Sequence, residues 1–319
     1  MSGSNDHIGA AARRYGKATI AEAVARLRGG GLVGVPTETV YGLAADSTDA
    51  TAVAEIYRAK GRPDFNPLIV HVPDLDAART LGQFNERAAG FAAAFWPGPL
   101  TLVVPKTEDC PVTAAVTAGL DTIALRVPAH PVMRELLEAS GLFLAAPSAN
   151  RSGGISPTTA DHVTRSLGKA VPLILDGGPC ERGIESSIVA IDGDDYRILR
   201  PGPVTAAQLE TIAGKPPATV RSGKIEAPGQ LASHYAPAKP VRLGAQTAMA
   251  DEYHIGFGPV AGDMNLSEDS DLAEAASLLF AALHDADASD RLRIAVAPIP
   301  ETEIGLALND RLRRAASPK

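Results

Sequence analysis

Residues 29–49 read GGGLVGVPTETVYGLAADSTD. Three glycines lead into the apolar run Leu32, Val33, Gly34, Val35, and Pro36 closes it by removing a backbone donor, so residues 32–35 read as a short buried strand. Beyond it, Thr37, Glu38, Thr39 and Tyr41 gather hydroxyl and carboxyl groups ahead of Gly42. An open α/β sheet places its ligands beyond the carboxyl ends of its strands, which makes this loop a candidate substrate site. The same residues would also serve as turn-forming hydroxyls and a packed tyrosine, and the stretch alone leaves both readings open.

Working outward, Thr19-Ile20-Ala21-Glu22 matches a capping box, and Ile20, Val24 and Leu27 share a helical face that ends at the glycines. On the other side, Ser47, Thr48 or Asp49 caps a second helix with the stripe Val53, Ile56, Tyr57 and a stop at Gly61. Its exit, Lys60-Gly61-Arg62-Pro63, holds two cations about a fixed turn. That suits a polyphosphate, and equally a solvated helix C-terminus that meets the helix dipole. Asn66 precedes a strand at 67–72 whose polar interruption is His71, a position that fits a satisfied core histidine as well as a functional one.

Residues 74–95 read as helical, and Trp96-Pro97-Gly98-Pro99 as a rigid turn. In residues 121–127, Ile123, Leu125 and Val127 alternate with Thr122, Ala124 and Arg126, the period of a strand with one buried face. Arg126 on the other face needs a carboxylate or phosphate, and an internal salt bridge would meet that need too. A helix at 130–140 and a strand at 142–146 lead into Pro147-Ser148-Ala149-Asn150, which repeats the plan of strand, proline and polar residues seen at Pro36 to Thr39. Two such strand ends can face one cleft. Ser156-Pro157-Thr158-Thr159 opens a helix whose free amides suit an anion. Short strands at 173–175, 185–189 and 196–199 follow, and Arg200-Pro201-Gly202 closes the last of them.

With 319 residues the chain is long enough for two domains. Residues 215–239 are rich in proline and glycine with little periodicity and read as a linker, yet they contain His234-Tyr235-Ala236-Pro237. Strands and helices resume at Val241. The expected plan is a large α/β domain at 1–214, a linker at 215–239 and a small α/β domain at 240–319. A net charge of -7 and 4% aromatic residues argue against a protein whose main task is non-specific binding to nucleic acid or anionic membrane. Cys110 and Cys180 lack metal-ligand spacing and read as reduced thiols. No run of about 18 apolar residues occurs, and the polar first residues lack a signal core, so a cytoplasmic location is expected. No Walker motif, zinc-hydrolase motif or nucleophile elbow is present, and no metal site is expected. Gly256-Phe257-Gly258-Pro259-Val260-Ala261 imitates a dinucleotide fingerprint, but Pro259 and the following Gly262 do not open a helix.

Taken together, Thr37-Glu38-Thr39-Val40-Tyr41-Gly42, Lys60-Gly61-Arg62-Pro63, Asn66-Pro67-Leu68, Leu125-Arg126-Val127-Pro128, Pro147-Ser148-Ala149-Asn150, Glu185-Ser186-Ser187-Ile188-Val189 and Arg200-Pro201-Gly202 resemble the YrdC-like threonylcarbamoyl-adenylate synthase family over residues 17–214. His234-Tyr235-Ala236-Pro237 and the trailing unit resemble its longer, two-domain branch. The resemblance implies a large twisted, mostly mixed sheet with surrounding helices and a positively charged concave cavity, followed by a small Rossmann-like α/β domain. It implies a cytosolic nucleotidyltransferase that joins L-threonine, bicarbonate or CO2, and ATP into threonylcarbamoyl-adenylate with release of pyrophosphate. Mg²⁺ would arrive with the nucleotide. The product would go to a transferase complex that modifies adenosine 37 of certain tRNAs, so tRNA would be acted on indirectly.

Carried over by motif, Thr39, His71, Arg126, Ser148 and Ser187 would surround threonine, with Arg126 on its carboxylate. Arg62, Asn66, Thr122, Asn150, Thr158, Arg200 and His234 or Tyr235 would hold ATP, with Lys60 and Arg62 offsetting phosphate charge. The family often shows threonine where this chain has Ser187. The linker would close over the cavity as a lid. The competing reading is a non-catalytic RNA- or nucleotide-binding protein that uses the same basic cavity. Carbamoyl-transferring maturation factors share the YrdC-like domain, but the zinc-finger cysteines and acylphosphatase module they carry are absent from this sequence.

Overall fold

The computed structural model describes residues 11–219, 226–228 and 234–317. Parts of the expected linker, 220–225 and 229–233, and the polar residues 1–10 lie outside the described residues. Ten strands form one mixed sheet: β1 (Ala11–Arg14), β2 (Val33–Val35), β3 (Gly42–Asp46), β4 (Ile69–His71), β5 (Leu100–Pro105), β6 (Thr122–Arg126), β7 (Leu144–Ala145), β8 (Leu173–Asp176), β9 (Ser187–Asp192) and β10 (Asp195–Arg200). Their spatial order is β1-β8-β2-β3-β7-β4-β6-β5-β9-β10. Eight helices accompany them: α1 (Lys17–Arg28), α2 (Ala50–Lys60), α3 (Leu75–Leu81), α4 (Glu86–Phe95), α5 (Ala114–Thr117), α6 (Pro131–Ser140), α7 (Ala160–Leu167) and α8 (Ala206–Ala213). A second, all-parallel sheet of β11 (Val241–Arg242), β12 (Glu252–Gly256), β13 (Met264–Asn265) and β14 (Arg293–Val296) runs in the order β11-β14-β12-β13 and packs with α9 (Leu272–Ala288) and α10 (Gly305–Ala315). This is the expected α/β architecture.

Residue alternation decides what each face carries. In β4 and β6 the register pairs Ile69 with Ala124, Val70 with Leu125 and His71 with Arg126. Val70 and Leu125 enter the main core with Ile56, Phe91 and Leu102. Ile69 and Ala124 turn the other way, into a thin apolar patch with Ile188 and Ala227. His71 and Arg126 share that second face, because side chains two apart on a strand point the same way. At one end of the sheet α1 and α6 build a separate core on Val33, Val35 and Ala44. The C-terminal core draws in Val40, Ile155 and Ile184 from loops between the elements of the first sheet, and Tyr235, so the two parts of the chain share an apolar contact.

Several local expectations change. Residues 37–49 contain β3, which pairs antiparallel with β2, so the polar loop lies at the carboxyl end of β2, itself parallel to β8, and is at the same time a hairpin connection. Gly-Leu-Ala-Ala-Asp has weak strand propensity; Leu43 and Ala45 are buried in one core and Ala44 in another, and that two-sided packing makes it a strand. Thr19 is not the N-cap of α1. The helix begins at Lys17 behind Gly16, and Thr19, one turn in, accepts from the Gly16 N–H at 2.9 Å. Asp49 caps α2 by accepting from Thr51 and Ala52, and Gly61 ends it in the left-handed region. The helical stretch 74–95 breaks at Gly82, where an added Cβ would lie 2.5 Å from Val104. The Gly256–Ala261 motif forms a tight turn closed by a Phe257–Val260 bridge. Among the described residues, no helix is long and apolar enough to cross a membrane.

Candidate active site

The hairpin loop between β2 and β3 is built to hold Arg126. Glu38 Oε1 accepts from Arg126 Nη2 at 2.6 Å, and Glu38 Oε2 accepts from the Ala129 N–H at 3.1 Å. Arg126 Nη1 donates to Thr39 Oγ1 at 2.9 Å, and the chain continues through Thr37 Oγ1 at 2.8 Å to the Val40 carbonyl at 2.7 Å. Arg126 Nε donates to the Gly98 carbonyl at 3.2 Å. Three of the five guanidinium N–H groups are thereby used and two remain. Burial would raise the Glu38 pKa, but the Arg126 charge and hydrogen bond outweigh it and hold the carboxyl below its usual range. The internal salt bridge that the sequence allowed is therefore present.

The loop after β7 forms the opposite wall. Gly42 bridges to Ser148, and Lys60 Nζ reaches the Ser148 and Asn150 carbonyls at 2.5 and 2.6 Å. Lys60 is 3% exposed with no carboxylate on its ammonium among the described residues, and burial, reinforced by Arg62, drives its pKa well below that of a free lysine. Arg62 folds back to the Asn66 and Pro67 carbonyls at 3.3 and 2.9 Å. Burial, with Arg200 adding to it, pulls the Arg62 pKa down to about 10, so it keeps its charge at neutral pH. On the third side Arg200 donates to the Ser186 carbonyl at 3.0 Å and to its hydroxyl at 3.1 Å.

These walls enclose a cavity on the open face of the sheet, within an envelope of about 540 Å³. Its lining includes Thr37, Thr39, Arg62, His71, Arg126, Ser148, Glu185, Ser186, Arg200, Pro228, His234 and Tyr235. The free space inside is about 50 Å³, too little for a nucleotide and an amino acid together, and Pro228, His234 and Tyr235 form part of its lining. Among the described residues, His71 Nδ1, His234 Nδ1 and the Tyr235 hydroxyl are buried without a hydrogen-bond partner, as are Asn66 Oδ1 and Asn150 Oδ1 nearby in sequence to Arg62 and Ser148. Unpaired buried polar atoms are costly, and the three on this one cavity lining, from His71, His234 and Tyr235, point to a polar ligand. Burial holds His71 neutral, with a pKa of about 3, and burial together with Lys60 and three arginines does the same for His234.

Of the residues singled out from sequence, Thr39, Arg62, His71, Arg126, Ser148, Arg200, His234 and Tyr235 line this cavity. Lys60 and Asn150 stand behind its wall. Asn66 lends its carbonyl to Arg62. Ser187 faces elsewhere: its hydroxyl donates to the Val204 carbonyl at 2.7 Å and accepts from the Val204 N–H at 2.9 Å, while the neighbouring Ser186 lines the cavity. Thr158 bonds His162 Nδ1 at 3.3 Å, and Thr122 lies at the far end of β6 from Arg126. Sequence reasoning placed Glu38 in the candidate loop and Glu185 and Ser186 in a motif without giving any of them a ligand, and it passed over Arg311 on α10, which donates to Glu185 at 3.0 Å. Arg311 carried a signal: it falls on the helical stripe of Ala307, Leu308 and Ala315, where a lone arginine needs a buried anion.

An arginine-lined cavity against a mixed sheet, with His234 and Tyr235 of the segment ahead of a second, parallel sheet in its lining, defines an α/β protein whose site suits small anionic ligands. Residues 25–202 match the Sua5/YciO/YrdC family, described as telomere recombination, and residues 204–317 match the family described as threonylcarbamoyl-AMP synthase, C-terminal domain. The chain belongs to the Sua5/YciO/YrdC family, in the branch that carries this second domain. It is 39% identical to the threonylcarbamoyl-AMP synthase of Bacillus subtilis over 93% of this chain and 92% of that one. It is 37% identical to the threonylcarbamoyl-AMP synthase of Pyrococcus abyssi over 91% of this chain and 92% of that one. A crystal structure of P. abyssi Sua5 complexed with L-threonine superimposes with a TM-score of 0.86 at 36% identity, covering 95% of this chain and 96% of that chain.

Proposed function

We propose that this chain is a nucleotidyltransferase that makes threonylcarbamoyl-adenylate from L-threonine, CO2 or bicarbonate, and ATP. The observation that carries the reading is the union, in one closed cavity, of three buried arginines with unpartnered polar atoms on His71, His234 and Tyr235. Arg126 offers two free N–H groups beside the neutral His71, a combination suited to an amino-acid carboxylate and its polar neighbours. Arg62 and Arg200 suit phosphate oxygens across the cavity from it.

In the reaction, the neutral amine of threonine adds to CO2 and loses a proton, giving an N-carboxylate. A carboxylate oxygen then attacks the α-phosphorus of ATP, the bond to the β-phosphate oxygen breaks, and pyrophosphate leaves. The chain's own work is to hold the two reactants in line and to offset charge in a water-poor site. Glu38 and Glu185 are both paired to arginines, and among the described residues no cluster of three or more His, Cys, Asp or Glu side chains could hold a metal. With both carboxylates engaged by arginines, Mg²⁺ would come in on the nucleotide's phosphates. Transfer of the product to a tRNA-modifying transferase completes the reading. The small closed cavity favours small molecules over RNA.

The test is to incubate the purified protein with ATP, Mg²⁺, bicarbonate and radiolabelled threonine. Pyrophosphate and a labelled adenylate that both require threonine and bicarbonate are expected. ATP binding without either product would overturn the reading.

A further inference from the structure

Among the described residues, Arg311 is the bulkiest side chain with no exposure, and the reaction gives it no task. Its Nε donates to Glu185 Oε2 at 3.0 Å, and its Nη1 donates to the Pro201 carbonyl at 2.7 Å and to Asp310 Oδ2 at 3.0 Å. Its guanidinium carbon lies 5.4 Å from the centroid of the Tyr235 ring, within cation–π range. Both partners line the cavity. The other Glu185 oxygen accepts from Ser156 at 2.5 Å. Tyr235 is held further by Phe280 of α9, with ring centroids 5.5 Å apart. Its φ of 62° is a conformation that a bulky residue keeps only when its surroundings impose it.

Cohesion between the domains does not call for this arginine. Val40, Ile155, Ile184 and Tyr235 already join the C-terminal core, and a fully desolvated guanidinium adds little stability over an apolar side chain of similar volume. What a planar fork does supply is direction, because its N–H vectors fix the angle of each group they meet. Resting on the cavity as the substrate site, we propose that Arg311 is a positioning residue: through the Glu185 ion pair and the Tyr235 ring face, the last helix sets the shape of a cavity to which it contributes no described lining residue.

The full-length Arg311→Lys variant keeps the charge and loses the fork. Its KM values come from pyrophosphate release, its ATP affinity from calorimetry, and its integrity from thermal unfolding. ATP affinity should weaken, and KM for ATP rise, about tenfold, the size expected of a broken coupling between touching residues, with kcat at saturation largely kept. Glu185→Gln, which retains volume but not the ion pair, should reproduce the effect. Combined with both Glu185→Gln and Tyr235→Leu, Arg311→Lys should weaken ATP no further than those two changes together. Unchanged ATP affinity, a kcat that falls only with the folded fraction, or effects that multiply in the combined variant would overturn the proposal. Calorimetry reads Arg311 even if the wild-type protein shows no threonine-dependent turnover, so the two readings fail separately.

Discussion

Glu38 and Arg126 lie 88 positions apart in the chain, and their side chains meet at 2.6 Å in the buried wall of the cavity, 4% and 3% exposed. The pair is the hinge between fold and site: it anchors the β2–β3 hairpin to β6 and aims the remaining N–H groups of Arg126. Glu38→Gln leaves a buried guanidinium without its anion, and the expected loss of stability is ~3–5 kcal/mol. Urea unfolding of Glu38→Gln, Arg126→Met and the double variant measures it. The double variant should lose less than the sum of the single ones, and simple additivity would contradict the coupling.

Acid should weaken this protein before its carboxylates titrate. Buried His71 is held at a pKa of about 3, and buried His234 is depressed as well, whereas both would titrate near 6.5 in the unfolded chain. Between these limits the unfolded state binds more protons, so their contribution is fully present above pH 6.5 and declines as pH falls. Each adds a slope of ~1.4 kcal/mol per pH unit inside that window. The depressed Glu38 acts in the same direction below about pH 4.5. Urea midpoints at pH 7.5, 6.0 and 5.0 should fall steadily, and His71→Gln should flatten the slope; a pH-independent midpoint would refute the assignment.

Lys60 holds the backbone of the Ser148 loop by two carbonyls. Lys60→Met orphans both acceptors, with an expected stability cost of ~1–3 kcal/mol. Binding should suffer more, with a drop of roughly tenfold or greater for threonine or ATP, since displacement of a positioning loop is costly out of proportion to its size. Calorimetric affinities equal to wild type would remove this role.

The Tyr235 hydroxyl has no partner within the described residues, so Tyr235→Phe removes a burden from the ligand-free protein. Its unfolding midpoint should stay level or rise. If the hydroxyl meets the nucleotide, ATP affinity should fall by roughly fivefold to tenfold, the worth of one hydrogen bond in a dry site. A parallel loss of stability and affinity would instead mark a packing role.

Arg62 donates to two nearby carbonyls, and its charge has no carboxylate partner among the described residues. Arg62→Ala should abolish threonine-dependent pyrophosphate release and leave the circular-dichroism spectrum and thermal midpoint close to wild type. Normal turnover by this variant would exclude Arg62 from phosphate binding.

Much of the site was legible because its residues follow strand ends in short, stereotyped runs. Arg126 was marked as a buried cation by its place on the face opposite Ile123 and Leu125, and His71 by its place in an apolar strand. Ser186 and Ser187 are adjacent hydroxyls on opposite faces, and only the register of β9 tells which one meets the cavity. Glu38 could be read as a loop carboxylate, but its partner comes from a strand 88 positions away.

The sequence by itself determined the α/β class, the apolar strands, most helix ends and the polar clusters after Pro36 and Pro147, since periodicity, capping and proline geometry act within a few residues. Tertiary structure alone decided that Gly42–Asp46 is a strand, that Lys60 turns onto backbone carbonyls, and that Arg311 of the last helix reaches Glu185 and Tyr235. Each of those outcomes depends on burial against distant segments: desolvation penalises an unpaired polar group wherever it lies in the chain, and its partner can be known only once the chain has closed around it.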